Sequence, residues 1–405
     1  MLAHALFAIA AGIITIAVVT ATPVTRTVIV IRHCARATPS TTGSGDPHFR
    51  YFDNYTSHPF PPWPVIPYQC LPHGVKIVQA EGANLAALGQ GVLSYDAASD
   101  LEFVADACDR DNDTAHALVA GIGLSPPPPV TTDAAIFVAG ASGDGACPEF
   151  TRAQNRKFLT KRFLEVNNTL AQRAGLPPAA WLALVDKLQG VLGRGAAPAL
   201  ADLPDAIGPT GWLNGASSVG GMIVEQFLMQ LGDGGGVPVA WGELDAAGVY
   251  DAVRLRVFQR AASARVPQVA ARAQSNLLYA TLNKLNDFSS GNGTTFYVGH
   301  DTNLDQLASL LDQAGLIATP GAWQAGPYPA DATPPGSALV FRATRDSDDD
   351  DAAGGAATVS VQFMSAALDG SNGGDLAFDT VVDAMPLASF AQQVTAALDM
   401  KCVTK

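Results

Sequence analysis

The sequence predicts an α/β protein with a mainly parallel central sheet flanked by helices and an inserted, mostly helical cap domain. Two apolar runs rich in β-branched or aromatic residues, Thr27–Ile31 and Leu101–Ala105, are typical of buried strands. Residues 75–93 and 114–120, which follow these runs, carry apolar side chains at helical spacing. This alternation of strand and helix indicates βαβ units and a parallel sheet.

A tetraproline segment, Pro126–Pro129, interrupts the alternation, and beyond it the pattern becomes helical. Strand and helix return at Thr294–Val298 and the leucines behind it. Residues Ala338–Arg342 and Thr358–Phe363 then resemble a hairpin around an acidic loop. We therefore divide the chain into a signal peptide at residues 1–21, a first α/β part at 22–135, a helical cap insertion at 136–260 and a second α/β part at 261–405.

The N-terminal segment predicts export. It is apolar, lacks charged side chains, and ends in small residues, Val19-Thr20-Ala21, that suit a cleavage site. The alternative is an uncleaved membrane anchor, because the segment is nearly long enough to span a bilayer. We expect a secreted or periplasmic protein without a stable membrane partner after cleavage.

The charge balance excludes one class of partner. The chain has 24 Lys and Arg against 37 Asp and Glu, a formal charge of -13, so no basic face is expected for nucleic acid. The five cysteines allow at most two intrachain disulfides. The chain has no CxxC pair, so the cysteines do not predict a zinc site. Neither a metal nor an organic cofactor is expected, and the composition gives no oligomeric state.

Three charged motifs follow predicted strands. Arg32-His33-Cys34-Ala35-Arg36 comes after the first strand, Arg110 after the second, and His300-Asp301 after Thr294–Val298. The carboxyl ends of parallel strands are where ligands bind in α/β sheets, so these side chains are expected to converge. Arginines and histidines there can bind an oxyanion, and a carboxylic acid can protonate a leaving group. A basic surface turn, a salt-bridging Arg110 and a helix-capping Asp301 are the alternatives.

These motifs resemble those of the histidine acid phosphatases, the family that includes bacterial phytases and glucose-1-phosphatases. The family pattern Arg-His-Gly-x-Arg-x-Pro resembles residues 32–38, and His-Asp-Thr-Asn matches residues 300–303. The family arginine before a Thr-Ala-rich helix matches Arg110, and weaker similarities extend along nearly the whole mature chain.

The resemblance implies a role for each matching residue. His33 would attack phosphorus and form a phosphohistidine, and Asp301 would donate a proton to the leaving group. Arg32, Arg36, Arg110 and His300 would hold the phosphoryl oxygens, so that a small phosphorylated substrate is the expected partner and arginines replace a metal cation. Further substrate contacts carried over with less support are Thr38, Glu225, Arg272 and Asn303.

The chain departs from the family pattern around the predicted nucleophile. Cys34 replaces the family glycine, and we expect it to be the free thiol, because a bridge there would distort the site. Cys402 resembles a family cysteine that is normally bridged. Few cations follow the first motif, which favours a general acid phosphatase over a dedicated phytase or a glucose-1-phosphatase. A degenerate phosphate-binding homologue and a mutase of the wider clan are the remaining alternatives.

Overall fold

A computed structural model describes most of the chain outside the N-terminal segment. The described residues are 23–38, 52–137, 156–164, 178–195, 197–208, 213–317, 323–346, 357–370 and 375–404. The predicted signal peptide and most of the acidic loop lie outside them. No helix within these ranges is long and apolar enough to cross a membrane.

The central element is a mixed sheet of seven strands in the order β3-β2-β6-β1-β7-β8-β9. Its first four strands are mutually parallel and the last three continue antiparallel, and a separate two-stranded ribbon pairs β4 with β5. The strands are β1 Val24–Arg32, β2 Leu101–Ala105, β3 Val130–Thr132, β4 Ala206–Ile207, β5 Leu213–Asn214, β6 Gly293–Gly299, β7 Ala338–Arg345, β8 Thr358–Ala366 and β9 Leu376–Pro386.

Helices cover both faces of this sheet and form most of the region between β3 and β6. They are α1 Phe52–Tyr55, α2 Pro72–Leu88, α3 Asp109–Ile122, α4 (described over residues 156–164), α5 Pro178–Leu192, α6 Ala216–Leu231, α7 Ala246–Ser263, α8 Pro267–Asn286, α9 Asp301–Gln313 and α10 Leu387–Ala397. The α/β prediction is confirmed, as are the strands after which the three motifs were expected.

Strand β1 shows why the parallel part of the sheet is buried. Val28 and Val30 pack into the core beneath α8 and α9, whereas Ile29 and Ile31 pack into the core formed with α2 and α3. Alternate side chains point to opposite faces of a strand, so the four consecutive apolar residues Val28–Ile31 need a helix layer on each side. A third cluster of apolar side chains holds α5, α6 and α7 together.

The strand register brings the three motifs to one edge. Arg32, the last residue of β1, pairs with Gly299, the last residue of β6, and Ala105 of β2 pairs with Val298. The residues that come next along the chain are therefore neighbours in space. Helices α3 and α9 begin at this edge, and their N-termini add a partial positive charge.

Candidate active site

Two histidines face each other at the carboxyl edge of the parallel strands. The ring centroids of His33 and His300 lie 5.4 Å apart, with an angle of 73° between the ring planes. Each histidine comes directly after its strand, His33 after β1 and His300 after β6. The predicted convergence of the motifs is therefore present in the structure.

A hydrogen bond to the backbone fixes the orientation and the tautomer of the His33 imidazole. Its Nδ1–H donates a hydrogen bond of 2.8 Å to the carbonyl oxygen of Cys34, because a carbonyl can only accept. The lone pair then resides on Nε2. Burial, followed by the charges of Arg110, Arg32, Arg36 and His300, holds the pKa of His33 well below its usual value, so that the ring is neutral.

Arg32 precedes His33 in the chain and is 2% exposed. Its guanidinium pairs with Glu225, donates 2.5 Å to the carbonyl oxygen of Thr333, and lies 3.9 Å from the Asp301 carboxylate. Arg36 is half-buried, and burial lowers its pKa to about 10, which leaves it charged at neutral and acidic pH. Two cations therefore flank His33 from its own segment.

His300 is held as a cation. Its Nε2 lies 3.1 Å from Asp106 Oδ2, and Arg110 Nη2 lies 3.3 Å from its Nδ1. Burial alone lowers the pKa of His300, but hydrogen bonds to Asp106 and Cys108 and the nearby Asp111 charge outweigh it and raise this pKa to about 9. Arg110 therefore faces His300 and does not serve as an isolated surface residue.

The raised pKa of His300 predicts a pH-dependent effect of Asp106→Asn. Above the normal pKa of free histidine and below about 9, the native imidazolium stays charged, whereas the variant loses the hydrogen bond and the charge that keep the proton in place. We expect affinity for inorganic phosphate to fall by roughly tenfold at about pH 8 and far less at about pH 5, where both imidazoles are protonated. Isothermal titration at the two pH values measures this, and an equal loss at both would contradict it.

The Asp301 carboxylate faces arginines and does not cap a helix. The N-cap position of α9 is His300, and Asp301 Oδ2 accepts 2.7 Å from Arg256 Nη2, while Arg260 Nη2 lies 3.6 Å from Oδ1. Burial raises the pKa of Asp301, but the charges of Arg260, Arg32 and Arg256 outweigh it and hold this pKa well below the usual range. Asp301 is therefore ionised in the substrate-free site.

Arg256 and Arg260 are site residues that sequence reasoning missed. They lie one turn apart on α7 and contact Asp301 from the same helical face. Arg256 also lies 3.4 Å from Glu225, and Arg260 pairs with Asp305 at 2.6 Å. Their i,i+4 spacing in a helical segment was the available signal. A cavity beside Arg32 is lined by Glu225 and both of these arginines.

The further substrate contacts suggested by the sequence lie in different parts of the structure. Glu225 is 5% exposed and bridges Arg32 and Arg256, so it holds these two cations in place. Thr38 is buried two residues beyond Arg36. Arg272 lies on α8, and the arginines that contact Asp301 are Arg32, Arg256 and Arg260 instead.

Asn303 supports His300 from behind. It is fully buried, and its Oδ1 accepts 2.7 Å from the backbone N–H of His300 while its Nδ2 donates to Gln274. A Cβ at Gly299 would lie 2.6 Å from that oxygen, so this close approach requires glycine. These hydrogen bonds show Asn303 supporting His300, and its predicted contact with substrate stays a prediction.

The expectation of a free Cys34 is wrong, because Cys34 forms a disulfide with Cys70. The backbone of Ala35 and Ala37 hydrogen-bonds residues 69–71, and Arg36 pairs with Cys70, which brings the two Cα atoms to 5.8 Å. The bridge therefore follows the backbone pairing and does not distort it. Cys402 is also disulfide-bonded, and Cys108 is the free cysteine of the described ranges.

Removing this disulfide should destabilise the protein markedly. The bridge spans 36 residues, for which the loss of loop-closure entropy predicts that Cys34→Ala/Cys70→Ala lowers the free energy of unfolding by roughly 3–4 kcal/mol. Denaturant unfolding measures the difference, with Cys108→Ala as the control because that thiol is in no bridge. A double variant as stable as the control would contradict the assignment.

The fold was compared with those of known proteins. No protein-family model and no curated protein matches the chain. Among solved structures, a Hafnia alvei phytase in complex with myo-inositol hexakis sulphate superposes with a TM-score of 0.74 at 21% identity, covering 94% of this chain and 98% of that one. A Klebsiella sp. ASR1 phytase gives a TM-score of 0.75 at 19% identity, with coverages of 94% and 96%.

The chain has the bacterial phytase fold. A Citrobacter braakii phytase supports this as well, with a TM-score of 0.69 at 22% identity over 95% of this chain and all of that chain. The phytase fold is consistent with the resemblance to the histidine acid phosphatases noted in the sequence.

Proposed function

We propose that the protein hydrolyses phosphate monoesters through a phosphohistidine on His33. The observation that carries this proposal is the hydrogen bond from His33 Nδ1 to Cys34, which leaves a neutral Nε2 facing a cluster of cations. An uncharged nucleophile inside a positive site suits a phosphoryl group, whose own charge repels anionic nucleophiles.

The reaction has two steps. In the first, His33 Nε2 attacks phosphorus and the ester P–O bond breaks, while Asp301 gives its proton to the leaving alkoxide. In the second, water attacks the phosphohistidine, the P–N bond breaks, and Asp301 takes the water proton. Arg32, Arg36, Arg110 and the His300 imidazolium stabilise the charge on the phosphoryl oxygens throughout, so that the mechanism uses side chains alone.

We expect Asp301 to carry a proton once substrate is bound. One of the arginines that lower its pKa, Arg32, is a group that an incoming phosphoryl group would engage. The two negative charges of that phosphoryl group offset the effect of Arg32 on the nearby carboxyl, so the pKa of Asp301 rises in the complex. Activity at acidic pH follows from this coupling.

A phytase is the second candidate, and one observation favours it. The sequence suggested few cations for a substrate with many phosphates, yet Arg256 and Arg260 lie at the edge of the site. They lie beyond the four residues that hold the reacting phosphoryl group and offer charge to a second one. The Hafnia alvei phytase was crystallised with an inositol hexakis sulphate, a close analogue of such a substrate.

A substrate panel separates these candidates. Release of inorganic phosphate from an aryl phosphate, glucose 1-phosphate and inositol hexakisphosphate tests the general, the sugar-phosphate and the phytase activities. If no member of the panel releases phosphate at acidic or neutral pH, the enzyme proposal fails and a degenerate phosphate binder remains. An isomerised phosphoester without free phosphate would indicate a mutase.

The variant Arg256→Gln tests whether Arg256 contributes to binding a substrate with several phosphates. If Arg256 binds a second phosphate, this change should raise KM for inositol hexakisphosphate by roughly fivefold or more while changing KM for an aryl phosphate less. Arg254→Gln is the matched control, because Arg254 lies on the same helix but pairs with Asp251 at the surface. Equal effects on both substrates would reject a second phosphate contact at Arg256.

We also propose that the protein acts outside the cytoplasm, as the N-terminal segment suggests, on a small phosphorylated molecule. Fractionation of cells that express the full chain tests this location. Recovery of the protein in the cytoplasmic fraction, with its first residues intact, would contradict it.

A further inference from the structure

Four side chains of types that bind transition metals meet where α3 and α9 begin. They are Asp106, Cys108, Asp111 and His300, and their ligating atoms all lie within 4.8 Å of one another. His300 Nε2 is 3.1 Å from Asp106 Oδ2 and 3.6 Å from Asp111 Oδ2. The edges of a tetrahedral zinc site with oxygen and nitrogen ligands measure roughly 3.4 Å, so these separations suit one ion.

The phosphatase mechanism uses only one of these residues directly. His300 holds phosphate and Asp106 positions it, but Cys108 and Asp111 have no assigned role. Cys108 occupies the N-cap position of α3 and Asp111 the first turn, so the helix start presents both beside the end of β2. The thiol is the free cysteine noted above and is partly exposed.

Asp111 provides an independent sign that a ligand fits here. Its side chain has no exposed surface, and neither carboxylate oxygen makes a hydrogen bond of normal geometry. A buried carboxylate without such bonds is costly, and carboxylates in this situation are commonly paired or coordinate metals. Its neighbours are the Cys108 thiol and the His300 imidazole.

We propose that these four residues form a binding site for a thiophilic divalent cation of the zinc type, and that occupation of the site inhibits the enzyme. One sulfur, one imidazole nitrogen and two carboxylate oxygens are ligands that zinc accepts, whereas magnesium and calcium prefer oxygen alone. Binding replaces one proton from the Cys108 thiol and one from His300 Nε2, and at acidic pH also the proton of Asp111, because burial raises the pKa of this carboxyl to about 7; all of them pass to solvent.

The inhibition follows from the shared histidine. A metal on Nε2 displaces the imidazolium proton and ties the ring to the ion, so His300 can no longer act as a free imidazolium that stabilises the phosphoryl oxygens. Arg110, whose guanidinium lies 3.3 Å from His300, is then repelled by the ion. The inhibition rests on the proposed phosphatase function, but the binding site does not.

A cobalt titration of the intact protein tests the site without substrate. Co²⁺ bound by a thiolate gives an intense near-ultraviolet charge-transfer band, which we expect at one equivalent and expect to disappear in Cys108→Ala. Asp111→Asn should weaken cobalt binding by roughly tenfold or more, whereas Asp109→Asn, an exposed acid on the same turn, should leave it unchanged. Thermal unfolding checks that each variant folds. If Asp111→Asn does not fold, the result for Cys108→Ala decides whether the site exists.

Inhibition is measured separately with an aryl phosphate and buffered free zinc. Zinc should inhibit reversibly at concentrations where magnesium does not, and Cys108→Ala should raise the inhibitory concentration by roughly tenfold or more. A missing cobalt band, a band that persists in Cys108→Ala, or zinc inhibition that is the same in this variant would overturn the proposal. If the protein shows no phosphatase activity, the cobalt titration still decides the site and the failure belongs to the proposed function.

Discussion

His33→Ala is expected to lower kcat for every phosphomonoester by roughly 10⁴-fold or more, because this change removes the side chain on which the covalent intermediate is proposed to form. The cations that bind phosphate remain in place, so binding of inorganic phosphate should survive within about tenfold. Steady-state kinetics and a phosphate titration measure the two effects on the same preparation. A loss of kcat with phosphate binding retained indicates a lost nucleophile, whereas a loss of both indicates an unfolded variant.

The matched control is His116→Ala. His116 is an exposed histidine on α3, so its removal should leave kcat unchanged. A His33→Ala variant that keeps more than about a tenth of the native kcat would contradict the assignment of the nucleophile.

Asp301→Asn should lower kcat by roughly 10²–10⁴-fold for alkyl phosphates, whose leaving alkoxides need a proton. The loss should be much smaller for a nitrophenyl phosphate, because that leaving group departs as a stable anion. Asparagine keeps the size of the side chain but cannot give up a proton as an acid. The diagnostic quantity is therefore the ratio of the two losses.

The same variant should change the pH dependence. The proposed mechanism requires a protonated Asp301 in the complex, so we expect native activity on alkyl phosphates to be lost as pH rises through the pKa of that carboxyl. Asp301→Asn has no such group, and the pH profile of kcat should become flatter on the alkaline side. An equal loss for alkyl and nitrophenyl substrates, with an unchanged profile, would show that Asp301 acts only through Arg32, Arg256 and Arg260.

The predictable part of the fold is the part with strong local patterns. Strand β2 was predicted with its observed bounds, and β1 and β6 were predicted within a few residues, because each is a short run rich in β-branched, aromatic or other apolar residues. Strand β9, Leu376–Pro386, was not predicted, since acidic residues interrupt its apolar pattern and its register contains a shift.

The candidate site likewise has a part that the sequence predicts and a part that it does not. His33, Arg110 and His300 could be placed together because each follows a parallel strand, and parallel strands end at one edge. The contacts of Asp301 with Arg256 and Arg260 depend on how α7 packs, which no local pattern reveals. The Cys34–Cys70 bridge depends likewise on backbone pairing between distant segments.

The depressed pKa of Asp301 is another result of packing. Sequence reasoning assigned the proton donor by its place beside His300, but three arginines from two distant elements, β1 and α7, lower the pKa of Asp301. Under the proposed mechanism, the protonation of Asp301 therefore depends on whether the site holds a phosphoryl group, and no local sequence pattern indicates this coupling.

The central claim is that phosphate passes through His33, and one measurement tests it most directly. Native protein mixed briefly with a ³²P-labelled phosphomonoester is denatured in alkali, digested and analysed for labelled peptides. We predict a phosphoryl group on His33 that is stable in base and labile in acid, and that is absent from His33→Ala. Label on any other residue, or turnover without a labelled intermediate under conditions that preserve phosphohistidine, would contradict the proposed mechanism.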